Sequence, residues 1–211
     1  MYIVKPRKGQ MRKTKEEAQK TREDILNAAV SLFSQKGVQK TTLEEIARAA
    51  NVTRGAIYWH FKNKIEIFEA LHERLHRPLI EMVLEDIGKD HPEPLIQLEE
   101  LCIELLLDVA HNEQKRQALT LFLIKCDYAG ELAPYKKKHL EKKAETMKLF
   151  RGYFDKAKKM GKIPADADTE ILTLAYHCFI KGILFERLNN PDNFDMQKKA
   201  PELVRLFFQK L

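Results

Sequence analysis

Cysteine is scarce in this chain of 211 residues: there are three, Cys102, Cys126 and Cys178, far apart and set in apolar helical text. An odd, scattered set argues against a disulfide framework or a zinc knuckle and reads as reduced, buried thiols that behave as small hydrophobes. Long apolar runs are missing too. None approaches the roughly 20 residues that a bilayer demands, and the opening stretch "MYIVKPRKGQMRKTKEEAQ" has no apolar centre of the kind a signal peptide carries. These absences point to a cytoplasmic protein with no membrane partner. Alternating strand patterns are lacking through the C-terminal two-thirds, so the expected fold class is all-α. What the chain does have is 44% hydrophobic residues, enough for one sizeable core and a small second module.

Charge is unevenly spread. Residues 1–64 carry 14 Lys and Arg against 6 Asp and Glu, a balance of +8, while residues 65–211 carry 23 against 25, a balance of −2. The basic excess sits entirely in the first third. That is the pattern of a basic module that meets a polyanion, joined to a nearly neutral module with another task. Lys5, Arg7, Lys8 and Arg12 form a basic arm over residues 1–12. Together with Lys13 they suit phosphates or a minor groove, and equally a solvated arm.

Three helix starts are announced by a capping residue three positions before a carboxylate: Thr14 with Glu17, Thr42 with Glu45, and Asn63 with Glu66. In the first helix Ile25, Ala28, Ala29, Leu32 and Phe33 repeat at helical spacing until Gly37 stops it. The second, "TTLEEIARAA", is about two turns long, and a third, "TRGAIYWHF", opens at Thr53. Two short helices joined by a tight turn and braced by another make a helix-turn-helix, whose second helix enters the major groove of DNA. Thr53 and Arg54 stand where base edges are read, and Gly55 keeps the backbone close. Thr42, Tyr58, His60 and Lys64 are the expected phosphate contacts. Trp59 reads as packing.

One stretch pulls elsewhere. "HERLH", His72 to His76, is H-E-x-x-H, the pattern with which zinc proteases hold a metal and a general base. It admits a hydrolase in which His72 and His76 bind zinc, Glu73 is the base and Glu99 or Glu100 adds a ligand. It also admits a metal-responsive regulator, or histidines that border a pocket for an organic ligand. Against the hydrolase, Pro78 would kink the helix and nothing in the sequence supplies oxyanion donors.

The run "TREDILNAAVSLFSQKGVQKTTLEEIARAANVTRGAIYWHFKNKIEIFEAL" resembles the DNA-binding domain of the TetR family of bacterial transcriptional repressors. "RKTKEEAQKTR" and "VTRGAIYWHFKNK" are similar to the multidrug-efflux repressors of the AcrR and TtgR type, and a weaker likeness continues through "LFLIKCDYAGEL" and "FIKGIL". The resemblance implies a helix-turn-helix domain over residues 13–62 and a ligand-binding and dimerisation domain over residues 63–211. It implies a homodimer on a palindromic operator in double-stranded DNA, released by a small-molecule inducer, with no enzymatic activity, cofactor or required metal. His72, His76, Leu79, Cys102, Leu106, Phe122, Cys126, His139 and Cys178 fall on helices that surround the family's cavity, with His139 across from His76. Leu172, Ala175, Tyr176, Phe179, Gly182 and Ile183, with Leu203, Val204 and Phe207, fall on the family's dimer helices. Pro201 marks where the last helix is expected to start or restart.

Overall fold

The computed structural model describes residues 15–192 and 194–209, and among these the regular structure is helical throughout. The basic arm and the Thr14 cap lie outside the described residues. Helix α1 (Lys15–Lys36) buries Ile25, Ala29 and Phe33 along one face. It ends where Gly37, at φ 83°, donates its N–H to the Phe33 carbonyl at 2.9 Å, a left-handed turn that glycine adopts without steric cost.

Helix α2 (Leu43–Ala49) starts at Thr42, whose hydroxyl accepts from the Glu45 N–H while the Glu45 carboxylate accepts from the Thr42 N–H, the full reciprocal cap. The turn out of α2 passes through Asn51 at φ 52° and is closed by the Val52 N–H on the Ala47 carbonyl at 2.9 Å. Thr53 caps α3 (Arg54–His60) by accepting from Ala56. Asn63 caps α4 (Lys64–Ile87), but here Glu66 accepts from the Lys62 N–H, one residue before the cap.

Beyond them come α5 (Pro94–His111), α6 (Glu113–Thr120) running into a single π turn over Leu121–Lys125, a 3-10 turn (Gly130–Leu132), α7 (Tyr135–Lys159), α8 (Thr169–Asn189) and α9 (Met196–Phe208). Two apolar cores result. The first gathers Ile25, Phe33, Ile46, Ile57 and Phe68 with Leu121 and Phe122 of the π turn; the second gathers Val83, Leu98, Leu106, Phe154, Tyr176 and Val204. Helix α4 contributes Ile67, Phe68 and Leu71 to one and Val83 to the other, so it physically couples them. The first core is therefore not closed by residues 13–62 alone.

α4 remains helical through Pro78, although proline offers no N–H to the Arg74 carbonyl one turn back. The expectation for Pro201 is corrected. α9 begins at Met196, five residues before Pro201, because Asp195 accepts from Gln197 and Lys198 and both Met196 and Ala200 are buried against the core. The lost bond at Pro201 is outweighed by that cap and burial.

Candidate functional site

The exposed side of α3 is built by its cap. With Ile57 buried beneath it, the helix presents Arg54, Gly55, Tyr58 and Trp59 to solvent. Arg54 is already held: its guanidinium pairs with Glu44 of α2 at 2.5 Å, donates to the Tyr58 hydroxyl at 3.1 Å and lies over that ring at 5.4 Å. Trp59, expected to pack, is 72% exposed, with only the His60 ring edge-on at 4.5 Å. It is the residue of this surface that the sequence does not single out; an aromatic side chain between a tyrosine and a histidine expected to contact phosphate was the available signal. Thr42 is exposed at the start of α2. Lys64 is turned away toward the second half of the chain, donating to the Gln39 carbonyl and pairing with Glu131, both at 3.2 Å.

Behind this surface a cleft of about 450 Å³ opens between α1, α4 and α7. His72 and His139 line it, with the ion pairs Glu69–Lys138 (2.7 Å) and Glu73–Lys142 along its walls and the Tyr128 ring beside them. Within the cleft His72 Nε2 meets His139 Nδ1 at 3.1 Å. The His72 ring lies 4.1 Å from that of His76 and 5.0 Å, edge-on, from that of Phe122. The spacing of one helical turn in "HERLH" puts His72 and His76 side by side, and α7 brings in the third imidazole. Glu99, a conceivable third ligand of a hydrolase, instead faces Arg205 of α9 at 3.7 Å.

Burial holds these imidazoles neutral. It lowers His72 to about 3, helped by the neighbouring His76, His139, Lys142 and Lys138. His76 falls to about 4 from burial and then His139 and Lys142, and His139 is lowered as well, by burial and then Lys143 and Lys181. An unfolded histidine titrates near about 6.5. Between that value and about 3 the unfolded chain takes up protons that the fold refuses, so stability is complete above about pH 6.5 and falls as the pH is lowered. Urea midpoints in chelator-treated buffer should drop between about pH 7 and pH 5, and His72→Gln should flatten that drop. An unchanged slope in the variant would remove His72 as its source.

The other expected cavity residues are dispersed. Leu79 packs against the second core, and Cys102 and Leu106 are buried in it, the Cys102 sulfur 2.9 Å from the Tyr176 hydroxyl. Cys126 is half-buried at the edge of the first core. Cys178 is exposed, in an outer groove with Phe179, Gly182, Ile183, Leu203 and Leu206. Of the residues expected between protomers, Leu172, Ala175, Phe179, Gly182, Leu203 and Phe207 keep some exposure, and Phe179 stacks on Phe207 at 4.9 Å. Tyr176, Ile183 and Val204 are instead buried within their own protomer. The exposed stripe of α8 runs through Ile171, Leu174, Cys178 and Phe185, with Leu206 exposed on α9.

A capped two-helix reader, a helix that leaves it to enter a second core, and a cleft beside that helix define a helix-turn-helix transcriptional regulator with a separate effector-sized site. Comparison with known proteins makes the class specific. Residues 25–71 match the family described as bacterial regulatory proteins of the tetR family, and residues 93–211 match the C-terminal region of MAATS-type transcriptional repressors. The chain belongs to the TetR family. It is 35% identical over 198 residues to the transcriptional regulator AcrR of Shigella flexneri, covering 94% of this chain and 92% of that protein. It is also 35% identical over 201 residues to the repressor BepR of Brucella suis, covering 95% and 96%. Among solved structures it resembles NalD, the secondary repressor of the MexAB-OprM multidrug efflux pump in Pseudomonas aeruginosa. There the TM-score is 0.73 and the identity 32%, with 92% of this chain and 97% of that one covered. These relatives are regulators rather than enzymes, and no helix of the described residues is long and apolar enough to cross a membrane.

Proposed function

We propose that the protein is a homodimeric repressor that binds a palindromic operator through α3 of each protomer and controls a multidrug efflux system. In this reading a small hydrophobic or aromatic inducer releases it, and it works in the cytoplasm, where its operator is. The observation that carries this reading is the free surface of α3, with Arg54, Tyr58 and Trp59 presented by a TetR-family frame. Regulation of efflux is supported by relatives whose names state that role, NalD among them; SmeT, the repressor of the SmeDEF multidrug pump in Stenotrophomonas maltophilia, has been solved with triclosan at 27% identity and a TM-score of 0.77.

Two such helices must reach successive major grooves, about 34–36 Å apart or a multiple of it. The exposed stripe of α8 and α9 offers the surface for pairing, in place of the buried Tyr176, Ile183 and Val204. Because α4 belongs to both cores, a ligand that wedges the cleft between α1, α4 and α7 acts on the angle at which α3 is held. A reversal from 99:1 bound to 99:1 released needs a preference of about 10⁴-fold between the two states. The cleft's carboxylates Glu69 and Glu73 are matched by lysines, and His72 and His139 stand beside them, which favours a neutral or anionic aromatic inducer over a cationic one.

Gly55 separates the operator role from stability. A Cβ there would meet only the Thr53 hydroxyl at 3.8 Å, an ordinary contact. Gly55→Ala should leave folding intact or strengthen it by roughly 0.5–1 kcal/mol through helix propensity, yet weaken operator binding, because the added methyl stands where the DNA backbone approaches. Equal affinity in the two proteins would move the DNA contact off this turn.

The whole reading is tested by fluorescence anisotropy on a palindrome-bearing fragment from upstream of the protein's own gene. Scrambled DNA serves as competitor, and a chelator is present throughout. The expected result is sequence-specific binding by two protomers and release by a neutral phenolic compound. Identical affinity for operator and scrambled DNA across upstream fragments would overturn it.

A further inference from the structure

The cleft contains more than a wall for an organic ligand. His72, His76 and His139 each offer one ring nitrogen, and the three atoms all lie within 4.8 Å of one another. In a four-coordinate zinc centre with Zn–N bonds of about 2.0–2.1 Å, ligand nitrogens stand roughly 3.3–3.4 Å apart. The His72–His139 pair is already at 3.1 Å, close to that spacing. We propose that these three histidines form a binding site for a divalent transition-metal ion of the zinc type, with water or an exchangeable ligand completing the fourth position.

Several features favour a metal over a plain hydrogen-bonded cluster. The pair bond between His72 and His139 uses one nitrogen of each, and His76 Nδ1 is buried with no hydrogen-bond partner, an arrangement a folded protein rarely tolerates. A bound cation would replace the pair bond, in which one of the two nitrogens has to carry the proton, and would give His76 Nδ1 a partner. An all-nitrogen set selects zinc, cobalt, nickel or copper over magnesium or calcium, which prefer oxygen.

Charge nearby has to be weighed. Lys138 and Lys142 stand beside the rings and would oppose a dication. Each is bound by a carboxylate, Glu69 and Glu73 respectively, while Lys143 and Lys181 also act on His139, so a bound dication has to outweigh this positive charge. The same pairing removes Glu73 from the role the H-E-x-x-H pattern would give it. It is held by Lys142, so a metal here would not be flanked by a free general base. The third ligand comes from α7, where the sequence pattern offered Glu99 or Glu100. A loaded site would tie α4 to α7 across the cleft. The proposal does not depend on the operator or inducer reading, since binding is measured without DNA.

The test uses the full chain, stripped with chelator and titrated with Co²⁺, whose visible absorption is intense in a four-coordinate site and weak in an octahedral one. One Co²⁺ per protomer with intense absorption, displaced stoichiometrically by Zn²⁺, is expected. His139→Ala and, separately, His76→Gln should each weaken binding by roughly 100-fold or more, since even losing an outer-shell partner commonly costs 10–100-fold. His111→Ala, outside the cluster, should titrate like the parent. Circular dichroism and melting identify any variant that misfolds, and the other variant then decides. Weak octahedral absorption, or a parent and cluster variants that bind Co²⁺ alike, would overturn the site and leave the repressor reading untouched.

Discussion

Alanine at Phe68 is expected to lower the unfolding free energy by about 3–5 kcal/mol, the usual cost of emptying a packed aromatic site. Phe68 is buried at the point where α4 leaves the DNA-reading unit. Its ring meets those of Phe122 at 5.2 Å and of Tyr128 and Tyr135 at 6.3 Å each. Those partners come from the π turn, the loop after it and the start of α7, so one side chain fastens the reading head to the rest of the molecule. A domain's whole stability is only about 5–15 kcal/mol, so the variant should show a much lower urea midpoint and weaker operator binding at temperatures where the parent is intact. A loss below about 1 kcal/mol would mean that the surroundings collapse into the space and that the aromatic cluster is not what joins the two parts.

Arg54→Ala should weaken operator binding by about 1–3 kcal/mol if the guanidinium reads a base edge, and should relax preference at that position. If Arg54 touches phosphate, the loss falls on operator and random DNA alike and the salt slope shrinks by about 0.9. The structure adds a third measurement. In the free protein Arg54 is bound to Glu44 and Tyr58, so DNA has to replace the carboxylate. Glu44→Gln should therefore raise affinity for the operator, where Arg54 has to leave the carboxylate, more than for random DNA, where Arg54 can stay paired. No gain on either DNA would show that the pair is a plain surface ion pair, of the kind worth little.

Much of the DNA-reading half was legible in the sequence because its signals are local. Thr42 with Glu45 and Asn63 name helix starts within four residues, and Gly37 names a stop. The cleft was harder. "HERLH" places two imidazoles on one face of α4, but the contact with His139 spans 67 residues and became visible only through the likeness to a known family. Helix α8 shows the limit. It is apolar on several sides, so periodicity could not separate the face with Tyr176, turned into the core, from the face with Ile171, Leu174 and Phe185, turned out. Which side is covered depends on α5, α7 and α9, information that no window of α8 contains. Pro201 misled for a related reason: a residue that breaks an isolated helix is tolerated once Asp195 caps it and Met196 and Ala200 are anchored.

The outward stripe of α8 also bears on how much of this protein a cell keeps. If those side chains are covered only by a second copy, mass action makes the melting temperature rise with total concentration. Dilute chains spend more time with the stripe bare and open to proteases. Abundance then feeds back on lifetime: a cell with few copies loses them faster than one with many, and the threshold for silencing a gene sharpens without any change at the DNA.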